Sequence, residues 1–126
     1  MCDVVSEELT KREWFVTGNV PFELFSSDFT FKDPDVQLSG IDNYARGVRR
    51  LFDQATSRAE IIACRLNATV PNTITIVWRL EGKVNVGLGL RIKPYVVFTD
   101  LRVSPSNGLI EYQEDRFSLP GWDIFL

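Results

Sequence analysis

Apolar residues recur at helical spacing in the first part of the chain and at alternate positions after Thr56. The clearest helical stretch opens after Gly40. Ile41, Tyr44, Ala45, Val48, Leu51, Phe52 and Ala55 fall on one side of it, and Asp42, Arg46, Arg49, Arg50 and Asp53 on the other. Asp42 and Arg46 stand four apart in the order that favours an ion pair. A sparser pattern, Val5, Leu9, Phe15 and Val16, predicts an earlier helix capped by Ser6 and stopped by the GNVP run at 18–21. Positions 22–25 read as a short helical turn. The alternation at 29–32 predicts a strand, which Asp33-Pro34-Asp35 breaks.

From residue 59 the period is that of strands. The first covers 59–70 and turns at Pro71-Asn72. In the second, at 73–81, Ile74, Ile76, Trp78 and Leu80 share one face, and Thr73, Thr75, Val77 and Arg79 the other. Gly82-Lys83 reads as the next turn. The span 84–103 contains Gly87, Gly89 and Pro94, so a loop or bulge is expected there, with the main strand at 95–103. A turn at 104–108 leads to a last strand at 109–117. The tail SLPGWDIFL is apolar enough to pack back on the body. Helices followed by strands imply an α+β fold, with the helices on one face of an antiparallel sheet.

Composition narrows the function classes. The 126 residues make one domain, 1–126. A net charge of -3 argues against nucleic acid as partner, which needs a basic face. No apolar run approaches the roughly 20 residues of a membrane helix, and the stretch MCDVVSEELTKREW is no secretion signal. There is no histidine, so Ser-His-Asp and Cys-His catalysis and histidine-bound metals are excluded. Cys2 and Cys64 are too far apart for a CxxC motif. With one near a terminus and one in a strand, no disulfide is expected and a reducing compartment is the default. Acid–base chemistry falls to Asp, Glu, Tyr, Lys, Arg or water. The run Gly87-Leu88-Gly89-Leu90 precedes no helix and is no phosphate loop. Asn67-Ala68-Thr69 matches a glycosylation sequon by chance.

The segment LFSSDFTFKDP followed by SGIDNYARGVRRLF, and the last strand with Gly108, Ile110, Gln113, Asp115 and Phe117, resemble the nuclear transport factor 2-like, SnoaL-like superfamily. In the superfamily's last-strand motif a His and a Trp stand where this chain has Gln113 and Phe117. Members include ketosteroid isomerases, SnoaL polyketide cyclases and limonene epoxide hydrolase. The chain looks most like SnoaL-like proteins of plants, algae and cyanobacteria. The resemblance implies a cone, a curved sheet wrapped over helices with a pocket at its open end. It also implies a homodimer through the sheet, a cytoplasmic or plastid location, and no cofactor or metal.

The resemblance also names candidate residues. Asp33 stands where the isomerases keep the carboxylate that shuttles a proton beside a carbonyl, but the local sequence favours a cap on the turn before Pro34. Asp115 stands where the epoxide hydrolase has a water-activating Asp. The Arg and Asp that complete that set are reduced here to Arg79 and Glu81. The isomerase tyrosine has no counterpart on the first helix, where Trp14 and Phe15 lie, and its second donor falls near Thr99, beside Asp100. Phe31, Trp78, Thr99 and Gln113 are the candidate pocket wall. Three functions follow: binding of a small hydrophobic ligand; isomerase, cyclase or epoxide hydrolase activity with Asp33 or Asp115 as general base; or protein interaction through a sheet face bearing Thr73, Thr75, Val77, Val96 and Phe98.

Overall fold

The computed structural model describes residues 1–86 and 89–117. Helix α1 (Cys2–Arg12) and the short α2 (Trp14–Thr17) are followed by a 3-10 turn (Phe22–Leu24), β1 (Phe25–Lys32), β2 (Gln37–Ser39) and α3 (Ile41–Leu51). Then come β3 (Arg58–Leu66), β4 (Thr73–Val84), β5 (Leu90–Val103) and β6 (Ile110–Phe117). The six strands form one curved, unclosed sheet in the order β2-β1-β6-β5-β4-β3. The expected α+β cone is therefore present. All neighbours run antiparallel except β1 and β6, which are parallel and place Phe31 beside Gln113 and Lys32 beside Glu114.

The core lies between the helices and the inner sheet face. Ile74, Ile76, Trp78 and Leu80, predicted to share a face, are all buried against Val5, Leu9, Trp14 and Phe15. Each such side chain contributes about 1.5–3 kcal/mol on burial. Phe25, Phe29, Phe31 and Phe52 are core. Phe98 stands on the outer face, beside Val77, and is 36% exposed. On that outer face Thr73 is buried, and the Thr75 hydroxyl donates to Asp100 at 2.7 Å.

Several boundaries differ from those predicted. The first helix begins at Cys2, and Ser6 lies inside it, its carbonyl accepting from the Thr10 hydroxyl at 2.9 Å. That helix breaks at Glu13, whose φ is 49°. The Glu13 carboxylate accepts from the Ala59 amide and from Arg58 Nε, both at 2.9 Å, so the break is tied to β3. Arg46 donates to Asn43 at 2.8 Å. Helix α3 stops at Leu51 because Phe52 bridges to Val84. Strand β3 ends at Leu66, where Asn67 Oδ1 caps a turn by accepting from the amides of Thr69 and Val70.

Gly82 is no turn. Strand β4 runs on to Val84, and the register slips at Gly82, which pairs with Ile92 while Leu80 pairs with Tyr95. The extra β5 residues at this bulge include Pro94, which has no N–H to give. Gly82 has φ 137°, and a Cβ there would stand 2.4 Å from Ser57 Cα, so the backbones meet only because the side chain is absent. Among the described residues no helix is long and apolar enough to cross a membrane. The expected packing of the tail and the 87–88 part of the glycine run lie outside the described residues.

Candidate active site

A cavity of about 510 Å³ opens between α3 and the inner sheet face. Its wall is apolar, built in part from Phe15, Phe31, Leu80 and Phe117, with Trp78 among them. Phe15 stacks on Trp78 with ring centroids 4.8 Å apart. Four polar side chains, Asp33, Tyr44, Tyr95 and Asp115, reach this surface.

Asp115 is held by its neighbours on β5 and β6. Thr99 is its cross-strand partner, and the Thr99 hydroxyl donates to Asp115 Oδ1 at 2.7 Å. Trp78 Nε1–H donates to the same Thr99 oxygen at 2.9 Å. An indole N–H can only donate, so it takes one of the hydroxyl's lone pairs and turns the hydroxyl hydrogen toward Asp115. Gln113, two residues back on the same strand face, donates from Nε2 to Asp115 Oδ1 at 3.1 Å and to Tyr44 Oη at 3.2 Å. Oδ1 therefore accepts two hydrogen bonds, while Oδ2 takes none among the described residues. When Asp115 is protonated, the proton belongs on Oδ2.

The electrostatics follow from burial. Desolvation pushes the Asp115 carboxyl up from 3.8 to about 7; the Thr99 and Gln113 hydrogen bonds pull against this, and Asp33 and Asp100 add to it. Burial, with Asp115 as the next cause, raises Tyr44 well above the usual tyrosine range, so it stays a neutral phenol. Its oxygen accepts from Gln113, which leaves its O–H for the cavity. Gln113 Oε1 is buried with no partner among the described residues, at a cost of about 1–3 kcal/mol. Both Nε2 hydrogens of Gln113 are thus committed to the two groups that face the cavity.

Asp33 sits where β1 ends. Its Oδ1 accepts from the amides of Asp35 at 2.8 Å and Val36 at 2.7 Å, and so fastens the turn into β2. The capping role and a place on the cavity wall are both present.

Of the residues picked from the sequence, Asp33, Asp115, Phe31 and Trp78 line one cavity. Thr99 and Gln113 do not line it; both are fully buried behind Asp115 and fix its orientation. Tyr44 was missed, because its helical spacing matched that of core residues. The signal was there in principle, since a tyrosine on a buried helix face must find a partner for its hydroxyl. Arg79 and Glu81 pair with each other at 3.1 Å away from the cavity. Asp100 pairs with Arg116, also at 3.1 Å. Among the described residues no group of acidic or thiol side chains is arranged to hold a metal ion.

No family model and no curated protein matches this chain in sequence. Solved structures match it in fold. A putative SnoaL-like polyketide cyclase from Jannaschia sp. CCS1 is 12% identical with a TM-score of 0.70, covering 92% of this chain and 84% of that one. An NTF2-like protein of unknown function from Cytophaga hutchinsonii is 15% identical with a TM-score of 0.63, covering 92% and 88%. A LEH-like epoxide hydrolase from M. tuberculosis is 15% identical with a TM-score of 0.61, covering 98% and 84%. The chain has the nuclear transport factor 2-like fold.

Proposed function

We propose that this chain is an acid–base enzyme acting on a small, mainly apolar molecule that carries a polarised oxygen, a ketone or an epoxide. Asp115 is the group that gives and takes the proton, through Oδ2. Tyr44 donates a hydrogen bond to the substrate oxygen as charge builds on it. Phe31 and Trp78 supply apolar contact. Thr99 and Gln113 hold Asp115 in place, and Asp33 contributes negative charge that helps keep its proton on near neutrality.

The observation that carries this reading is a carboxyl on an apolar cavity with one oxygen doubly held and the other without a hydrogen-bond partner among the described residues. A general acid–base group works best when its pKa lies near the working pH, and about 7 meets that condition. The cavity falls in the size range of small-molecule sites. The fold shared with a putative polyketide cyclase and an epoxide hydrolase is compatible with it, though fold alone fixes no reaction.

The test is turnover of a panel of enolisable ketones and epoxides, followed by deuterium exchange from solvent or by diol formation. Wild type should show activity with an inflection near pH 7, and Asp115→Asn should lose it. Ligands that bind in the cavity without exchange or hydrolysis would sink the enzyme and leave the second reading, a binding protein. The engagement of Asp33 in its turn favours that alternative, since it leaves one cavity carboxylate less free.

A further inference from the structure

Cys2 and Cys64 lie 62 positions apart in the chain, yet their sulfurs are 3.4 Å apart in the fold. Two features bring them together. On α1, Cys2 shares a face with Val5 and Leu9, both fully buried, so that face is pressed onto the sheet. On β3 the register slips between Ile61 and Ala63, so that Ile61 pairs with Trp78 and Cys64 with Ile76, both core residues. Without that extra residue, Ile61 and Cys64 would point to opposite faces. The bulge leaves Ile62 56% exposed and turns Cys64 inward against the helix. Both thiols are free and half-buried, and neither lines the cavity.

We propose that Cys2 and Cys64 are a redox modification site: they close to a reversible disulfide that clamps α1 to β3 when the chain meets an oxidised low-molecular-weight thiol. The Cys2 thiolate attacks one sulfur of the small disulfide and expels one thiolate, leaving a mixed disulfide on Cys2. Cys64 then loses its proton to solvent and attacks the Cys2 sulfur, expelling the second thiolate. Two protein thiols are oxidised and one small disulfide is reduced to two thiols. Cys2 is the first attacker, because burial and the Cys2 neighbour push the Cys64 thiol up to about 12. Cys64 Sγ also lies 3.6 Å from the Cys2 carbonyl, to which it donates. Closing the bond needs the sulfurs to approach by roughly 1.4 Å, toward the ~2.05 Å of a disulfide. The first turn of a helix can supply that movement.

The clamp would fix the helix that leads directly into α2, which carries the cavity residue Phe15. The experiment is incubation of the whole chain in glutathione buffers of graded oxidation, then acid quench, alkylation and intact mass. The expected result is a monomer lighter by two hydrogens with both thiols protected, restored by dithiothreitol and unfolding at higher urea than the reduced form. Cys2→Ser and Cys64→Ser should each block closure and abolish the shift in midpoint. Wild type that stops at a stable glutathione adduct, forms a disulfide-linked dimer or leaves both thiols open to alkylation would overturn the proposal. So would a disulfide that lowers the urea midpoint, since helix–sheet packing would have had to break to form it.

Discussion

Replacing Asp115 with Asn isolates the charge at the centre of the cavity. The carboxyl titrates near 7 instead of 3.8. At about 1.36 kcal/mol per pH unit, its ionised form costs the fold about 4 kcal/mol, a ceiling because water entering the cavity screens the charge. Between about pH 4 and pH 7 the folded chain keeps a proton on Asp115 that the unfolded chain has released. This group therefore makes the fold most stable at low pH. The contribution falls as pH rises through that window and levels off above about 7. An amide is neutral throughout. Its Oδ1 accepts from Thr99 and Gln113 as the carboxyl does, and its Nδ2 stands where the Oδ2 hydroxyl stood. Asp115→Asn should thus match wild type near pH 4 and exceed it by up to about 4 kcal/mol at pH 8. Urea unfolding of both proteins from pH 4 to 9 reads the difference, in which the other titrating groups cancel. A difference that stays constant with pH, or that grows toward acid, would refute the buried, raised carboxyl and with it the case for Asp115 as a proton carrier.

Thr99→Val removes one donor to Asp115 and strands the Trp78 indole N–H. It should raise the Asp115 pKa further, read by carboxyl-carbon NMR titration, and destabilise the fold by about 1–3 kcal/mol. Tyr44→Phe deletes the acceptor of Gln113 Nε2 and the proposed donor to substrate. It should cost about 1 kcal/mol of stability in urea unfolding and lower kcat on the order of 100-fold with little change in KM. Gly82→Ala puts a Cβ 2.4 Å from Ser57 Cα at φ 137°, so thermal unfolding should show a loss of about 3 kcal/mol or complete misfolding.

The parts of this fold that were legible in the sequence are those governed by period. Ile74, Ile76, Trp78 and Leu80 on one face and the buried Tyr44, Ala45 and Val48 of α3 follow directly from side-chain alternation and helical spacing, whereas Leu51 of the same stripe is 44% exposed. What period cannot show is an irregularity whose cause lies elsewhere in the chain. Gly82 looks like a turn glycine, but its φ answers to Ser57 rather than to a reversal. Glu13 breaks a helix because β3 supplies partners for its carboxylate. The site was legible in its chemistry but not in its layering. Thr99 and Gln113 read as pocket wall in the sequence, and only the three-dimensional hydrogen bonds show that they stand behind Asp115 and hold its carboxyl. Tyr44 was hidden because a tyrosine in a buried stripe looks like any aromatic until its hydroxyl finds a neighbour.

The parallel pairing of β1 with β6 is what gives the cavity two carboxylates. Sequence order alone suggested an antiparallel sheet throughout. With β1 antiparallel to β6, the end of β1 would face the start of β6, and Asp33 would lie near Ile110. Because the two strands run the same way, with Lys32 beside Glu114, their ends arrive together and Asp33 comes up alongside Asp115. The two carboxylates then differ in their partners, and Asp115 is also the one that desolvation pushes up to about 7. Asp33 accepts backbone amides that fasten its turn, so its charge is fixed in place beside the cavity. Among the described residues Asp115 accepts from side chains on one oxygen only, and it feels that charge as one reason to keep its proton. Environments that push two neighbouring carboxyls toward different tasks are how one site separates a charge from a proton carrier. The proposed assignment of proton transfer to Asp115 and of a supporting charge to Asp33 thus rests on strand direction, burial and hydrogen-bond partners, without appeal to any relative.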